Sequence, residues 1–255
     1  MEFTEPPHSP LRRLRRAAGL LTLWRPRDAH PPDADELRQA TAFYPLVGLV
    51  IGLLPAAALL LPLPADARAV LALAAWLLVT GADTLGGWAR ACDAAFAPAV
   101  STDDDTRRRR TEALGASRLG VMGGTALGLL LLAKVAALAH APPVAPMVAA
   151  ALGRWAMVHA LRTYAAAPPH DARIPAAGGV PLWSATWVAV AVLSLLTIAS
   201  PDPVWTAYAI TAGAVLALAA TAFLVDRFAG VNGPVCGAAC EAAELAVLWM
   251  FVPWG

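Results

Sequence analysis

The chain has 255 residues, 58% of them hydrophobic and 15% charged, and its 19 basic and 18 acidic side chains leave a net charge of +1. A soluble domain carries about 25% charge. The composition therefore excludes a disordered chain and, lacking a basic excess, a nucleic-acid-binding domain. A polytopic membrane protein or an unusually apolar soluble core is left.

In chain order, the first predicted element is an amphipathic helix over residues 11–24. At 100° per residue Leu11, Leu14, Ala17, Ala18, Leu21 and Trp24 share one face, opposite Arg12, Arg13, Arg15 and Arg16. That pattern suits a helix lying among lipid headgroups. A solvated arm and a signal peptide are the rival readings, but the following RPRDAHPPDADE is a poor cleavage site.

A bilayer core takes about 20 consecutive apolar residues as a helix. Such runs fall at 42–63, 67–82 (extendable through Leu85), 119–141, 144–165, 184–200, 205–225 and 236–252. No period-2 alternation persists, which argues against a barrel. The expected fold is all-α: a polytopic integral membrane helical bundle of about seven transmembrane helices plus an N-terminal interfacial helix. Its expected organisation is a cytoplasmic arm, 1–40, and a single transmembrane domain, 41–255, with a cytoplasmic loop at 83–118. Small-residue faces suit packing within one copy and between copies alike.

The arginines orient the spans. Seven precede the first: Arg12, Arg13, Arg15, Arg16, Arg25, Arg27 and Arg38. Arg90, Arg107, Arg108, Arg109, Arg110 and Arg118 lie between the second and third, and Arg162, Arg173 and Arg227 flank later loops of the same parity. The opposite loops hold only Arg68. The positive-inside rule then puts the N-terminus in the cytoplasm and the C-terminus outside.

Three cysteines, Cys92, Cys236 and Cys240, are too few for a disulfide framework. Cys236 and Cys240 sit one helical turn apart, but no histidine accompanies them, so small core residues is the better reading. There is no Walker loop, GxGxxG or nucleophile elbow.

Three polar clusters require an account. In TGADTLGGWARACDAAF (80–96), Asp83 and Arg90 lie seven residues apart on one face if the helix continues, and Asp93 follows Arg90 by three. Carboxylates there suit Mg²⁺, which takes one or two of them plus phosphate oxygens; a self-neutralising charge network is the alternative. In DDDTRRRRTEALGASRLG (103–120), acidic and basic blocks read as a solvated loop. The arginines of 107–110 could instead grip lipid headgroups or a diphosphate. Arg118, beside Ser117 at the mouth of the third span, is either a snorkelling anchor or a phosphate ligand. Within the membrane stand Arg154, Glu241 and Glu244. Ionisable groups at that depth face a protein interior, a partner or a wet cavity. An Arg154 pair with either glutamate is a structural alternative.

The order of these segments resembles the cobalamin synthase family, the adenosylcobinamide-GDP ribazoletransferases, over nearly the whole chain. The resemblance rests on FYPLVGLVIG (43–52), TGADTLGGWARACDAAF (80–96), RRTEALGASRLGVMGG (109–124) and AGVNGPVCGAACEAAEL (229–245), each beside the expected span. It implies a Mg²⁺-dependent phosphotransferase of a bacterial-type inner membrane. Such an enzyme joins adenosylcobinamide-GDP to α-ribazole or its 5′-phosphate and releases GMP. By resemblance Asp93 and Arg118 are catalytic, Arg109, Glu112 and Ser117 bind substrate, and Asp93, Glu241 and Glu244 hold the metal; Asp83, one position upstream of Thr84, is the expected replacement metal ligand, and Arg154, as an intramembrane charge, is a further expected substrate contact. Several family residues are replaced: the histidine falls at Thr84, and acids fall at Gly86, Arg90, Ala116 and Pro234. The alternative implied by those losses is a non-catalytic relative that binds a corrinoid or scaffolds a membrane partner.

Overall fold

The computed structural model describes residues 9–24, 33–98, 102–116, 118–167 and 180–252. These residues build α1 (Pro10–Leu21), α2 (Ala34–Ala40), α3 (Tyr44–Leu59), α4 (Ala65–Thr80), α5 (Asp83–Ala95) and α6 (Asp103–Ala113). They continue with α7 (Val121–His140), α8 (Val144–Thr163), α9 (Leu182–Ala199), α10 (Pro203–Arg227) and α11 (Gly233–Met250). Six helical stretches are long and apolar enough to cross a bilayer, namely 34–59, α7, α8, α9, α10 and α11, and the bent pair α4–α5 makes seven. Among the described residues the extended pairing is a single parallel bridge, Ala166 to Val231. The protein is an all-α polytopic membrane bundle.

The core runs down its middle. Helix α8 packs against α3 on one side and α11 on the other, and α10 and α5 close on α11. Small residues permit the approach, as expected where helices must pack without a hydrophobic drive. A Cβ at Gly48 would meet the Ala150 carbonyl at 2.4 Å, and one at Gly52 would meet the Met147 Cα at 2.5 Å. The lipid-facing surface carries Leu78, Leu129, Leu132, Ile198, Val215 and Phe223, all exposed. Trp183 and Trp187 open α9 while Trp205 and Tyr208 open α10, where interfacial aromatics belong.

Three expectations about the elements are corrected. The second span does not run on through Leu85: Gly81 (φ 67°) and Ala82 (φ 58°) both adopt the left-handed conformation, and α5 leaves α4 at 94°. The left-handed Gly81 closes α4, its N–H donating to the Leu77 carbonyl at 2.8 Å. Secondly, the segment 83–118 between the spans is largely helical among its described residues, holding α5 and α6. Thirdly, the charge blocks at 103–110 are helical. Thr102 caps α6, three aspartates occupy its first turn and Arg110 its last, so the charges follow the helix dipole.

Helix α1 lies across the end of the bundle. Ser9 caps it, Arg12 and Arg16 both donate to Glu36 of α2, and Ala17 is fully buried. Leu14, Ala18, Leu20 and Leu21 pack on the core, while Leu11 and Trp24 at its two ends stay exposed. Its C-terminal exit is fixed to α4 by the Leu23 N–H, which donates to the Val79 carbonyl at 2.9 Å.

Candidate active site

The sharp turn at Gly81–Ala82 sends α5 across the start of α11, and the two meet through glycines. A Cβ at Gly87 would lie 2.8 Å from the Pro234 carbonyl, and one at Gly237 would lie 3.0 Å from the Thr84 carbonyl. Above this crossing is a cavity of about 110 Å³ lined by Leu20, Leu21, Tyr44, Thr80, Asp83, Thr84, Arg90, Arg154, Met157, Gly233, Pro234 and Gly237. One water occupies roughly 30 Å³, so the space admits several waters or a phosphoryl group, not a large ring system. Leu20 and Leu21 of α1 form an apolar wall. The first turn of α11, capped by Asn232, borders the opposite side, and there a helix presents its positive pole.

Two guanidinium groups reach this cavity with N–H groups to spare. Arg154 is 1% exposed and its Nη1 donates to Glu244, yet its buried Nε has no partner. Arg90 is half-buried and lies over Gly86, where a Cβ would be 3.7 Å from its Nη2. Its buried Nε also has no partner. A buried unpaired N–H costs about 1–3 kcal/mol, more on a charged group, so native structures tend to reserve such donors for a ligand or water. Asp83, exposed in the first turn of α5, is the acid among the lining residues, and no ion pair joins it to a described residue.

Beneath the cavity lies a buried ionic quartet. Lys134 of α7 donates to Glu241 and Glu244 of α11, each at 2.5 Å, and Glu244 also accepts from Arg154 of α8. The Thr84 hydroxyl donates to Glu241 at 2.5 Å, joining the cavity lining to the quartet. Two cations face two anions, all at most 2% exposed. Lys134 also lies 5.0 Å from the centre of the Trp76 ring. Lys134 was no candidate in the sequence, although a lone lysine in an apolar span calls for a buried partner.

The sequence candidates scatter around this arrangement. Of the expected metal ligands, Asp83 lines the cavity, and Glu241 and Glu244 lie below it within the quartet. Asp93 sits elsewhere: its two carboxylate oxygens accept the N–H groups of Gly120 and Gly123, both at 2.6 Å, at the start of α7. The expected Asp83–Arg90–Asp93 network does not form among the described residues, since no ion pair joins any two of them. Arg118 is exposed beyond α6, and Arg109 and Glu112 are exposed on it; none lines the cavity. Ser117 lies outside the described residues. Arg107 and Arg108 border a second, wider hollow of about 440 Å³ with Tyr164 and Phe228, and Arg107 pairs with Asp226 at 2.9 Å. Among the described residues Arg154 alone of those expected to bind substrate reaches the cavity.

A resident Mg²⁺ requires oxygen donors. Among the described residues no three acidic, thiol or imidazole groups converge. Among the described residues the cavity offers one carboxylate, Asp83, with Arg90 beside it and Arg154 already matched by Glu244, so these side chains alone do not make a resident divalent-cation site.

Residues 13–252 match the cobalamin-5-phosphate synthase family. An adenosylcobinamide-GDP ribazoletransferase of Ralstonia nicotianae is 34% identical, the match covering 86% of each chain. One from Halorubrum lacusprofundi is 36% identical over 80% of this chain and 83% of its own. One from Desulforamulus reducens is 30% identical over 94% and 95%. No solved structure matches. With the match running from α1 to the end of α11 and taking in every wall of the cavity, the chain belongs to the cobalamin-5-phosphate synthase family.

Proposed function

We propose that this chain transfers the cobinamide phosphoryl group of adenosylcobinamide-GDP to α-ribazole or its 5′-phosphate, forming adenosylcobalamin or its 5′-phosphate and releasing GMP. The observation that carries this reading is the cavity at the α5–α11 crossing. It brings together two guanidinium groups, each with a buried Nε that has no partner among the described residues, and one carboxylate, with Asp83 and Arg90 in a segment that resembles the family. Phosphoryl transfer is mainly positioning plus charge stabilisation, and that is what such a set supplies.

In this reaction the ribazole 5′-oxygen bonds to the phosphorus that stays on cobinamide. The bond from that phosphorus to the bridging oxygen breaks, and GMP departs with that oxygen and its electron pair. Arg90 and Arg154 hold the diphosphate oxygens; Asp83 accepts the hydroxyl proton. The corrinoid itself exceeds the cavity and rests outside it, with Leu20 and Leu21 of α1 as the adjoining apolar surface. Pairing of copies is a separate matter of the exposed helix faces.

We further infer a bacterial-type inner membrane with the N-terminus in the cytoplasm, supported by the arginine-rich segments beside α1, α5 and α6. The test of the reaction is direct. Full-length protein in nanodiscs, given adenosylcobinamide-GDP and α-ribazole, is expected to release GMP and form the cobalamin product. Asp83→Asn is expected to lower kcat by about 10²-fold or more. Tight corrinoid binding without GMP release would overturn the reading in favour of a non-catalytic role.

A further inference from the structure

The structure assigns Arg90 and Arg154 as a guanidinium clamp that binds the substrate diphosphate in the place where a divalent cation would otherwise neutralise it. This rests on the phosphoryl-transfer reading above for its ligand class, and on the geometry of the cavity for everything else.

Four features of the cavity point the same way. Arg154 lines the cavity while Glu244 holds its Nη1, and its buried Nε has no partner among the described residues. Arg90 brings a second buried Nε without a partner to the same space, and Gly86 leaves room for the guanidinium to lie along α5. A guanidinium presents its donors in a planar fork that matches phosphate oxygens. The first turn of α11 adds the positive end of an 18-residue helix. The acids that could have held a metal are turned to other tasks. Asp93 caps α7, Glu241 and Glu244 neutralise Lys134 and Arg154, and Pro234 and Gly237 bring no charge to the cavity. The ligand class is a diphosphate ester; inorganic pyrophosphate is the minimal probe, because the cavity admits the phosphates and not the groups attached to them.

The test uses full-length protein in nanodiscs and calorimetric titration with inorganic pyrophosphate, in EDTA and in Mg²⁺ buffer. Pyrophosphate is expected to bind in EDTA with a Kd within about threefold of that in Mg²⁺. Arg90→Ala, which leaves the quartet intact, is expected to weaken binding at least tenfold in EDTA, with Arg90→Lys intermediate because a point charge replaces the fork. Melting temperature and elution volume confirm that each variant is folded. Binding that disappears in EDTA and returns with Mg²⁺ would overturn the clamp, as would absence of binding in both buffers or unchanged affinity in Arg90→Ala. The two readings fail separately. Pyrophosphate binding in EDTA without GMP release from the full substrates would sink the transferase reading and leave the clamp. Turnover accompanied by EDTA-sensitive pyrophosphate binding would do the reverse.

Discussion

Lys134, Arg154, Glu241 and Glu244 settle the interior of the bundle because each charge is matched within it. Removing one partner of a buried pair leaves an uncompensated ion and costs about 3–5 kcal/mol, whereas removing a balanced pair costs far less. Lys134→Met leaves Glu241 with only the Thr84 hydroxyl. It is expected to destabilise the protein by that amount in detergent unfolding, and adding Glu241→Gln is expected to recover most of the loss. If the double variant were no more stable than the single one, the charges would not be acting as a neutral set. Asp93 belongs to the same scale. Its two 2.6 Å bonds from Gly120 and Gly123 make it the cap of α7, so Asp93→Asn is expected to cost about 1–2 kcal/mol. Turnover is expected to fall only with the folded fraction; lost turnover at an unchanged melting temperature would restore the catalytic role that resemblance implies for this residue. Resemblance could place Asp93 near a site by motif, but only the structure shows that each of its oxygens accepts a backbone N–H at the start of α7. The Arg154–Glu244 pair was within reach of the sequence, because intramembrane charges of opposite sign require each other. Lys134 joined them unannounced: at 14 residues into α7 it is separated from the glutamates by more than 100 positions, and no local pattern links them.

Among the elements, α5 and its crossing with α11 decide whether a cavity exists. The pair approaches through Gly87 and Gly237, and the nearest atoms to an added Cβ are backbone, which cannot swing aside. Gly87→Ala is expected to cost about 1–3 kcal/mol by overpacking. As α5 shifts off α11, pyrophosphate affinity is expected to fall with it, which titration on the folded fraction would detect. A variant with wild-type stability and affinity would show that the crossing has slack. The spans from α7 to α11 were legible in composition, since a bilayer demands a long apolar run and little else satisfies that demand. The break after α4 was not. Past the first turn of α4, only Asp83 and two threonines interrupt the run before Leu85, and Ala82 has no chemical mark of a left-handed residue, so averaged hydropathy reads on across the bend. For a related reason α6 was read as a loop. Its charges have no apolar face to report a helix, and its stability comes from Thr102, from the dipole-matched charges and from Thr111, which accepts the Ala229 N–H at 2.8 Å.

For the molecule as a whole, the open question of mechanics is whether the bent pair α4–α5 crosses the bilayer. Helix α4 has 16 residues, about 24 Å at 1.5 Å per residue, against a hydrocarbon core of about 30 Å. It nonetheless packs along α7 and along α3, the last 16 residues of the bilayer-length stretch 34–59, and α5 turns away to lie against α11. If α4 crosses, residues 107–110 share the side of Arg12 and Arg16, and every arginine-rich segment is cytoplasmic, as the positive-inside rule requires. Leu23, just past α1, is bonded to Val79 near the end of α4, so α4 returns to the end of the bundle where α3 begins, and the alternative is the same bundle inserted with every arginine-rich segment outside. Single cysteines separate the two. In a background with Cys92, Cys236 and Cys240 replaced, Asp66→Cys and Pro201→Cys are expected to react with a membrane-impermeant maleimide in intact cells. Arg108→Cys, exposed on α6, is expected to react only after lysis. Labelling of Arg108→Cys in intact cells, with Asp66→Cys and Pro201→Cys silent, would invert the bundle and put the cavity, which Leu20, Leu21 and Tyr44 also line, on the outer face, apart from any cytoplasmic nucleotide substrate.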